Sequence, residues 1–165
     1  MPAVIPGIVT QSLTVASDTQ KHPLNTVVFG DDGAMYQYIQ ASEALSTYGA
    51  VAIYGNGTGR LLDTSIAGAT GVLQARSVGW AQTSIASAYY GWMARMGNKL
   101  TINVADDCAA GVRLFTTATG GVLDDATISE GLVVGVQLTT TSSLATAMTA
   151  CAATPAFIGM YTNPA

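Results

Sequence analysis

Three acidic pairs, Asp31-Asp32, Asp106-Asp107 and Asp124-Asp125, are the residues whose type and spacing could most readily do chemistry. Brought together, they would offer a Ca²⁺ ion the roughly six to eight oxygens it takes. No stretch has EF-hand spacing, and each pair falls at an expected turn, where Asp bonds its own backbone. Turn formation is therefore the reading of all three. His22 is the sole histidine and stands beside Pro23. A Ser-His-Asp or Cys-His device would need that imidazole oriented and partly buried, and its neighbours in sequence supply neither condition. Cys108 and Cys151 lie 43 positions apart in no metal-ligand spacing, and both read as buried thiols. Gly55–Arg60 (GNGTGR) has the glycines of a phosphate cradle without the Gly-Lys-Ser/Thr that completes one. Two carboxylates about 5–9 Å apart would suffice for glycoside hydrolysis, but nothing in the chain singles out such a pair. The expectation is a protein that is not an enzyme and uses no cofactor or metal. The aromatics Tyr36, Tyr38, Tyr48, Trp80, Tyr89, Tyr90 and Trp92 could stack sugars or bases, yet most alternate with aliphatics at strand period. That pattern assigns them to core and subunit interface.

The elements that would position these groups are short strands separated by Gly-rich turns. Ala88–Ala105 reads as a β-hairpin, with Tyr90, Trp92, Ala94 and Met96 on one face of the first arm and Leu100, Ile102 and Val104 on the second. A three-residue loop, Gly97-Asn98-Lys99, keeps those faces together, whereas a two-residue turn would oppose them. A second hairpin turns at Asp32-Gly33, a type I′ signal that pairs Phe29 with Tyr36 and Val27 with Tyr38. Further strands are expected at 49–54, at 72–82 (one strand, or two broken near Gly79), 112–116, near Val122, at 132–138 and at 155–161, with a short helix or loop over 41–48. The stretch 142–154, rich in Ala and Thr, reads as a loop with a helical turn. No usable internal repeat emerges. The sum is an all-β chain, a small β-barrel or sandwich with an extended N-terminal arm.

Only 10% of the residues are charged, below the roughly 25% of an ordinary soluble domain, and mean hydropathy is positive. No run approaches the roughly 18 apolar residues of a membrane helix, so no membrane role is expected. Net charge is −4 with scattered basic residues, which argues against direct nucleic-acid binding. A chain this poor in charge suits an assembly subunit that hides its surface against partners. Residues 1–25 form the expected arm and 26–165 the β-domain. Pro2, Pro6 and Pro23 favour extended backbone, and Val4, Ile5, Ile8, Val9 and Leu13 are the expected contacts with a neighbouring subunit. The alternative is an edge strand of the same domain.

Two longer stretches carry a resemblance. HPLNTVVFGDDGAMYQYIQA, followed by GAVAIY, resembles the opening of small structural proteins found beside capsid genes in tailed bacteriophages. The run from Val78 to Asp125 resembles their continuation, with an A-q-x-x-I-x-x-x-x-Y-G-W segment and a G-x-x-L-x-T-T-A-T-x-G-x-L-D-D run, and GLVVGVQL matches a later strand. The similarity spans most of residues 22–138, carried by Gly30, Gly33, Tyr90, Gly91, Trp92 and Gly120. It implies a capsid decoration, or cement, protein that binds the outer surface of the virion head and stabilises it. Its partners would be the major capsid protein and other copies of itself, as trimer or dimer, with assembly in the bacterial host cytoplasm. A host-facing, glycan-binding adhesin on the virion is the alternative.

Overall fold

The computed structural model describes residues 12–67, 77–126, 131–143, 146–152 and 154–159. Among these residues twelve strands join in one mixed sheet: β1 (Val27–Phe29), β2 (Met35–Ala41), β3 (Ala50–Ile53), β4 (Thr58–Leu61), β5 (Ser77–Ala81), β6 (Tyr90–Val104), β7 (Leu114–Thr116), β8 (Leu123–Asp124), β9 (Leu132–Val134), β10 (Gln137–Leu138), β11 (Thr146–Ala152) and β12 (Phe157–Gly159). A single turn of helix, α1 (Thr64–Ala67), follows β4 and is capped by Asp63, whose carboxylate accepts the Ile66 amide. The chain is all-β, as expected. Strand pairings close a ring through β2, β4, β3, β5 and β6, and a second circuit through β5, β12, β9, β7, β8 and β6. Among the described residues, β1 and β10 stand at the ends of the strand order.

The second expected hairpin does not form. Residues 90–104 are one 15-residue strand that runs straight through Gly97-Asn98-Lys99. Its first half pairs with β2, from Gln40↔Tyr90 to Met35↔Met96. The second half pairs with β11, from Ala152↔Gly97 to Thr146↔Val104. Each half has its own partner strand, so neither needs to fold back on the other. Trp92, Ala94, Leu100, Ile102 and Val104 still share one buried face, because period-2 parity is the same whether a three-residue loop or a continuous strand joins the halves. β11 itself replaces the loop expected at 142–154. Its Ala/Thr composition lacks apolar alternation, yet Met148 and Ala150 pack on the core.

A two-fold relation hidden in the sequence organises the first ring. Shifting by 40 positions carries β2 and its following loop onto β5 and its loop, and β3 onto the start of β6. The registers superimpose: Gln40↔Tyr90, Ile39↔Gly91, Tyr38↔Trp92 and Gln37↔Met93 in one half match Trp80↔Ala50, Gly79↔Val51, Val78↔Ala52 and Ser77↔Ile53 in the other. The loop bonds are reciprocal too. Leu45 N donates to Ile85 O at 2.8 Å and Ile85 N to Leu45 O at 3.0 Å. Ala88 N donates to Ala41 O, and Tyr48 N to Ala81 O. Tyr48 and Ala88 both adopt positive φ, 62° and 68°. The absence of a repeat is thereby corrected: the shared geometry is held by few identical side chains, so composition does not reveal it.

Both faces of these strands are buried. Even-numbered Tyr38, Ala50, Ala52, Val78, Trp80, Trp92 and Ala94 line the large core. Odd-numbered Ile39, Ala41, Val51, Ile53, Ala81 and Met93 form a second core, which the loop residues Leu45 and Ile85 cover at the two-fold. Side-chain volume breaks the symmetry there. Gly91 stands opposite Ile39 because a Cβ would lie 2.4 Å from Ile85 Cδ1, and Gly59 leaves room for Ile39 in the same way.

The first hairpin exists in a different register. Phe29 pairs with Met35, Val28 with Tyr36 and Val27 with Gln37 across a loop of residues 30–34, one position from the expected pairing. Asp32 is the cause: its carboxylate accepts the Ala34 amide at 2.9 Å and the Tyr36 hydroxyl at 2.6 Å. Gly33 takes φ 74°. The slip turns Val28 inward and leaves Val27 and Phe29 outside. The single strand expected at 132–138 is likewise two strands, β9 and β10, broken at Gly135 with φ 96°.

The two-fold predicts that Leu45→Ala and Ile85→Ala each lower stability by about 2–4 kcal/mol, read from urea denaturation. A variant at either position within about 0.5 kcal/mol of the native chain would show that the reciprocal loop pair is not a shared support.

Candidate interaction surface

Residues 12–26 are stitched onto their own domain. Ser17 and Tyr90 exchange backbone bonds of 2.9 and 2.8 Å, adding one bridge at the start of β6. Lys21 N donates to the Tyr38 hydroxyl at 3.0 Å. His22 packs edge-on to Tyr38, with ring centroids 5.2 Å apart, and against Trp92 at 5.1 Å. Leu24 lies over Gly57, where a Cβ would come within 2.6 Å of it. Asn25, at φ 65°, donates to Gly55 O and accepts from Gln37 Nε2. Gln37 in turn accepts from Arg95, whose Nε donates to Val78 O. Burial pulls the Arg95 pKa below its ordinary value. Of the expected arm contacts, Leu13 is half-buried against the core of its own chain, beside Gly30. Val4, Ile5, Ile8 and Val9 lie outside the described residues.

Where this stem begins, the surface is apolar. Phe29 is 68% exposed and Val27 49%. Tyr38 N bonds Thr26 O, and Gly30 N bonds Ala34 O, which with Val28↔Tyr36 sets the hydrogen-bonded pairs between β1 and β2. Antiparallel alternation then directs the N–H and C=O of Val27 and Phe29 away from β2. Among the described residues β1 pairs with β2 alone, so this edge offers both unpaired backbone and apolar side chains. Sequence reasoning missed it because a one-residue register shift decides which side chains face solvent. The signal available was Asp32, two residues before Ala34 and four before Tyr36.

The residues that could do chemistry are used structurally where they are described. Asp32 holds its turn, as above. Asp106 and Asp107 are exposed on a turn, with Asp107 at φ 57°. Among the described residues one group of three metal-capable side chains comes together, Cys108, Asp124 and Asp125, with ligand atoms within 4.8 Å of one another. Asp125 accepts the Ala109 amide at 2.8 Å and Asp124 the Ala126 amide at 3.3 Å, while the Cys108 thiol approaches Asp124 at 3.6 Å. These bonds tie one turn to another. Burial, with the two nearby carboxylates, pushes the Cys108 thiol up to about 11. Cys108 is a free, buried thiol, as expected; the Cys151 side chain lies outside the described residues. Trp80, Trp92, Tyr36 and Tyr38 are buried, and of the seven aromatics considered for stacking only Tyr89 is exposed, at 39%.

No protein-family model matches this chain, and no curated protein matches it.

Two titrations follow from the local geometry. Burial, then the Asp32 hydrogen bond and charge, raise the Tyr36 phenol above its ordinary value. A folded-state pKa above the unfolded one contributes stability that is full below about 10 and is lost as pH rises past it. Tyr36→Phe should flatten that alkaline loss of stability, and an unchanged alkaline profile would refute the assignment. Cys108, read alone in a Cys151→Ser chain, should resist alkylation at pH 8 until the chain unfolds; modification at the rate of a free thiol in the folded protein would contradict it.

Proposed function

We propose that this chain is a structural protein of a tailed-phage virion that binds the outer face of the capsid and stabilises the head. The observation that carries the reading is the exposed edge of β1, with Val27 and Phe29 outward, beside Leu13 at the base of an apolar arm. A soluble domain ordinarily protects such an edge with charge, proline or a bulge, and Thr26–Phe29 has none of these. Low overall charge and the strand-and-turn motifs that resemble decoration proteins support the same reading. Its physics is additive: many symmetry-related copies, each with a modest interface, brace the shell together. In this reading the arm residues Val4, Ile5, Ile8 and Val9 meet a neighbouring subunit. The major capsid protein and further copies of this chain are the partners. The adhesin alternative draws little support, since Tyr89 alone of the candidate stacking aromatics is exposed.

The test is co-sedimentation with expanded, undecorated shells. The full chain should bind and raise the temperature at which the shell disassembles, as any ligand selective for the intact state does. Removing residues 2–11 should abolish binding yet leave the fold intact, because Ser17, Lys21 and Asn25 keep their own bonds to the domain. A full chain that fails to bind shells would overturn the proposal.

A further inference from the structure

We propose that the open edge of β1 is a strand-addition site, and that its occupant is the segment Gly7–Gln11 of a second copy of this chain. The inference rests on reading the N-terminal residues as an arm, and it names the arm's acceptor.

Three features of the edge define what fits it. Val27 and Phe29 direct both donors and acceptors outward, so an added strand gains main-chain bonds at two residues. Their side chains share one exposed face, which favours a partner that brings an apolar residue to that face. The strand itself carries no charge, with Asp31 and Asp32 confined to the turn beyond it. A strongly charged partner is therefore not selected.

The segment Gly-Ile-Val-Thr-Gln, residues 7–11, has the matching chemistry. It is uncharged, and Ile8, Val9 and Thr10 are β-branched residues that favour strands. Pro6 precedes it, so no missing N–H interrupts the pairing.

Reach decides between a copy's own β1 and that of a neighbour. The Leu13 side chain packs beside Gly30, at the C-terminal end of β1. To pair antiparallel with its own β1, the segment would have to arrive beside Val27 and return toward Gly30 within two residues. Two residues span about 7 Å and the strand about 10 Å. Within one copy only a parallel pairing, or an antiparallel one cut short before Gln11, is open. The β1 of a neighbour imposes no such limit and accepts the antiparallel pairing, which is the more stable per residue. Each copy thus offers one arm and one edge. Such a head-to-tail exchange closes into a ring when the rotation permits.

Sedimentation velocity of the full chain over a range of concentrations, compared with a chain lacking residues 2–11 and with Phe29→Asp, tests the proposal. The full chain should form a discrete oligomer. Both variants should be monomeric, with unchanged circular dichroism and a urea midpoint that no longer depends on protein concentration. An oligomer that survives either change, or a full chain that stays monomeric throughout, overturns it. Exchange is read directly by mixing two single-cysteine additions, Ile8→Cys or Val9→Cys in one population and Phe29→Cys in the other. Under mild oxidation a disulfide should join the two populations, above the level given by either alone. No such product overturns the exchange. Shell binding is measured in parallel. Loss of the oligomer in Phe29→Asp with shell binding retained supports this inference while separating it from capsid attachment. An oligomer that forms in a chain unable to bind shells supports the exchange and overturns only the capsid reading.

Discussion

The reciprocal bond between Leu45 and Ile85 is the constraint on which the rest of the structure depends. Each loop lends its backbone amide and carbonyl to the other, and each drops an aliphatic side chain onto the odd-numbered faces of β2, β3, β5 and β6. β2 does not pair with β3, the strand that follows it in sequence, and β5 meets β6 only at Trp80↔Ala94 and Ala81↔Met93. Instead β2 pairs with the start of β6, and β5 with β3. The two units are interlocked, so the first ring closes only when both are present. Strands buried on both faces follow from this arrangement, which is why their sequences read as near-continuous apolar runs.

Where the two units part company, the fold acquires its shape. Gly55-Asn56-Gly57 turns the first unit sharply into β4, with Tyr54 and Thr58 bonded across it and Gly57 at φ 82°. The equivalent Arg95-Met96-Gly97 continues straight into the second half of β6. That extension carries β11 on one side and meets β8 at Val104, and so builds the second circuit of strands. One departure from symmetry thus converts a ring into a larger mixed sheet. Arg95, placed at this point, is buried without a carboxylate among the described ion pairs. Its bonds go to Val78 and through Gln37 to Asn25, coupling the stem of the arm to β5 in the first ring.

Most groups that could do chemistry are engaged within the fold. Acids cap turns, the sole histidine lies against Tyr38 and Trp92, and the large aromatics fill the core. The apolar groups left outside include Val27 and Phe29 at an open strand edge. Protein edges of this kind are unstable in isolation and specific when paired, because the backbone supplies affinity and the alternate side chains supply register.

Much of this was legible in the residues. The all-β class, the buried face running through Trp92, Ala94, Leu100, Ile102 and Val104, and the Asp-Gly hairpin all follow from period-2 alternation and turn chemistry. So does the apolar character of Val4, Ile5, Ile8 and Val9. What alternation cannot specify is continuity or partnership. Parity is identical across a three-residue loop and a straight strand, so Gly97-Asn98 reads as a turn although the chain turns at Gly55-Asn56-Gly57 instead. The exposed edge of β1 was hidden for a related reason: the Asp32 carboxylate, binding Ala34 and Tyr36, moves the register by one and reverses every side chain of the strand. The sequence by itself determined which residues prefer extended backbone and which of them must be buried, since those are properties of each side chain and its near neighbours. Only the tertiary structure decided which strand lies beside which, because the interlocked loops and the division of β6 between β2 and β11 are settled between residues far apart in the chain.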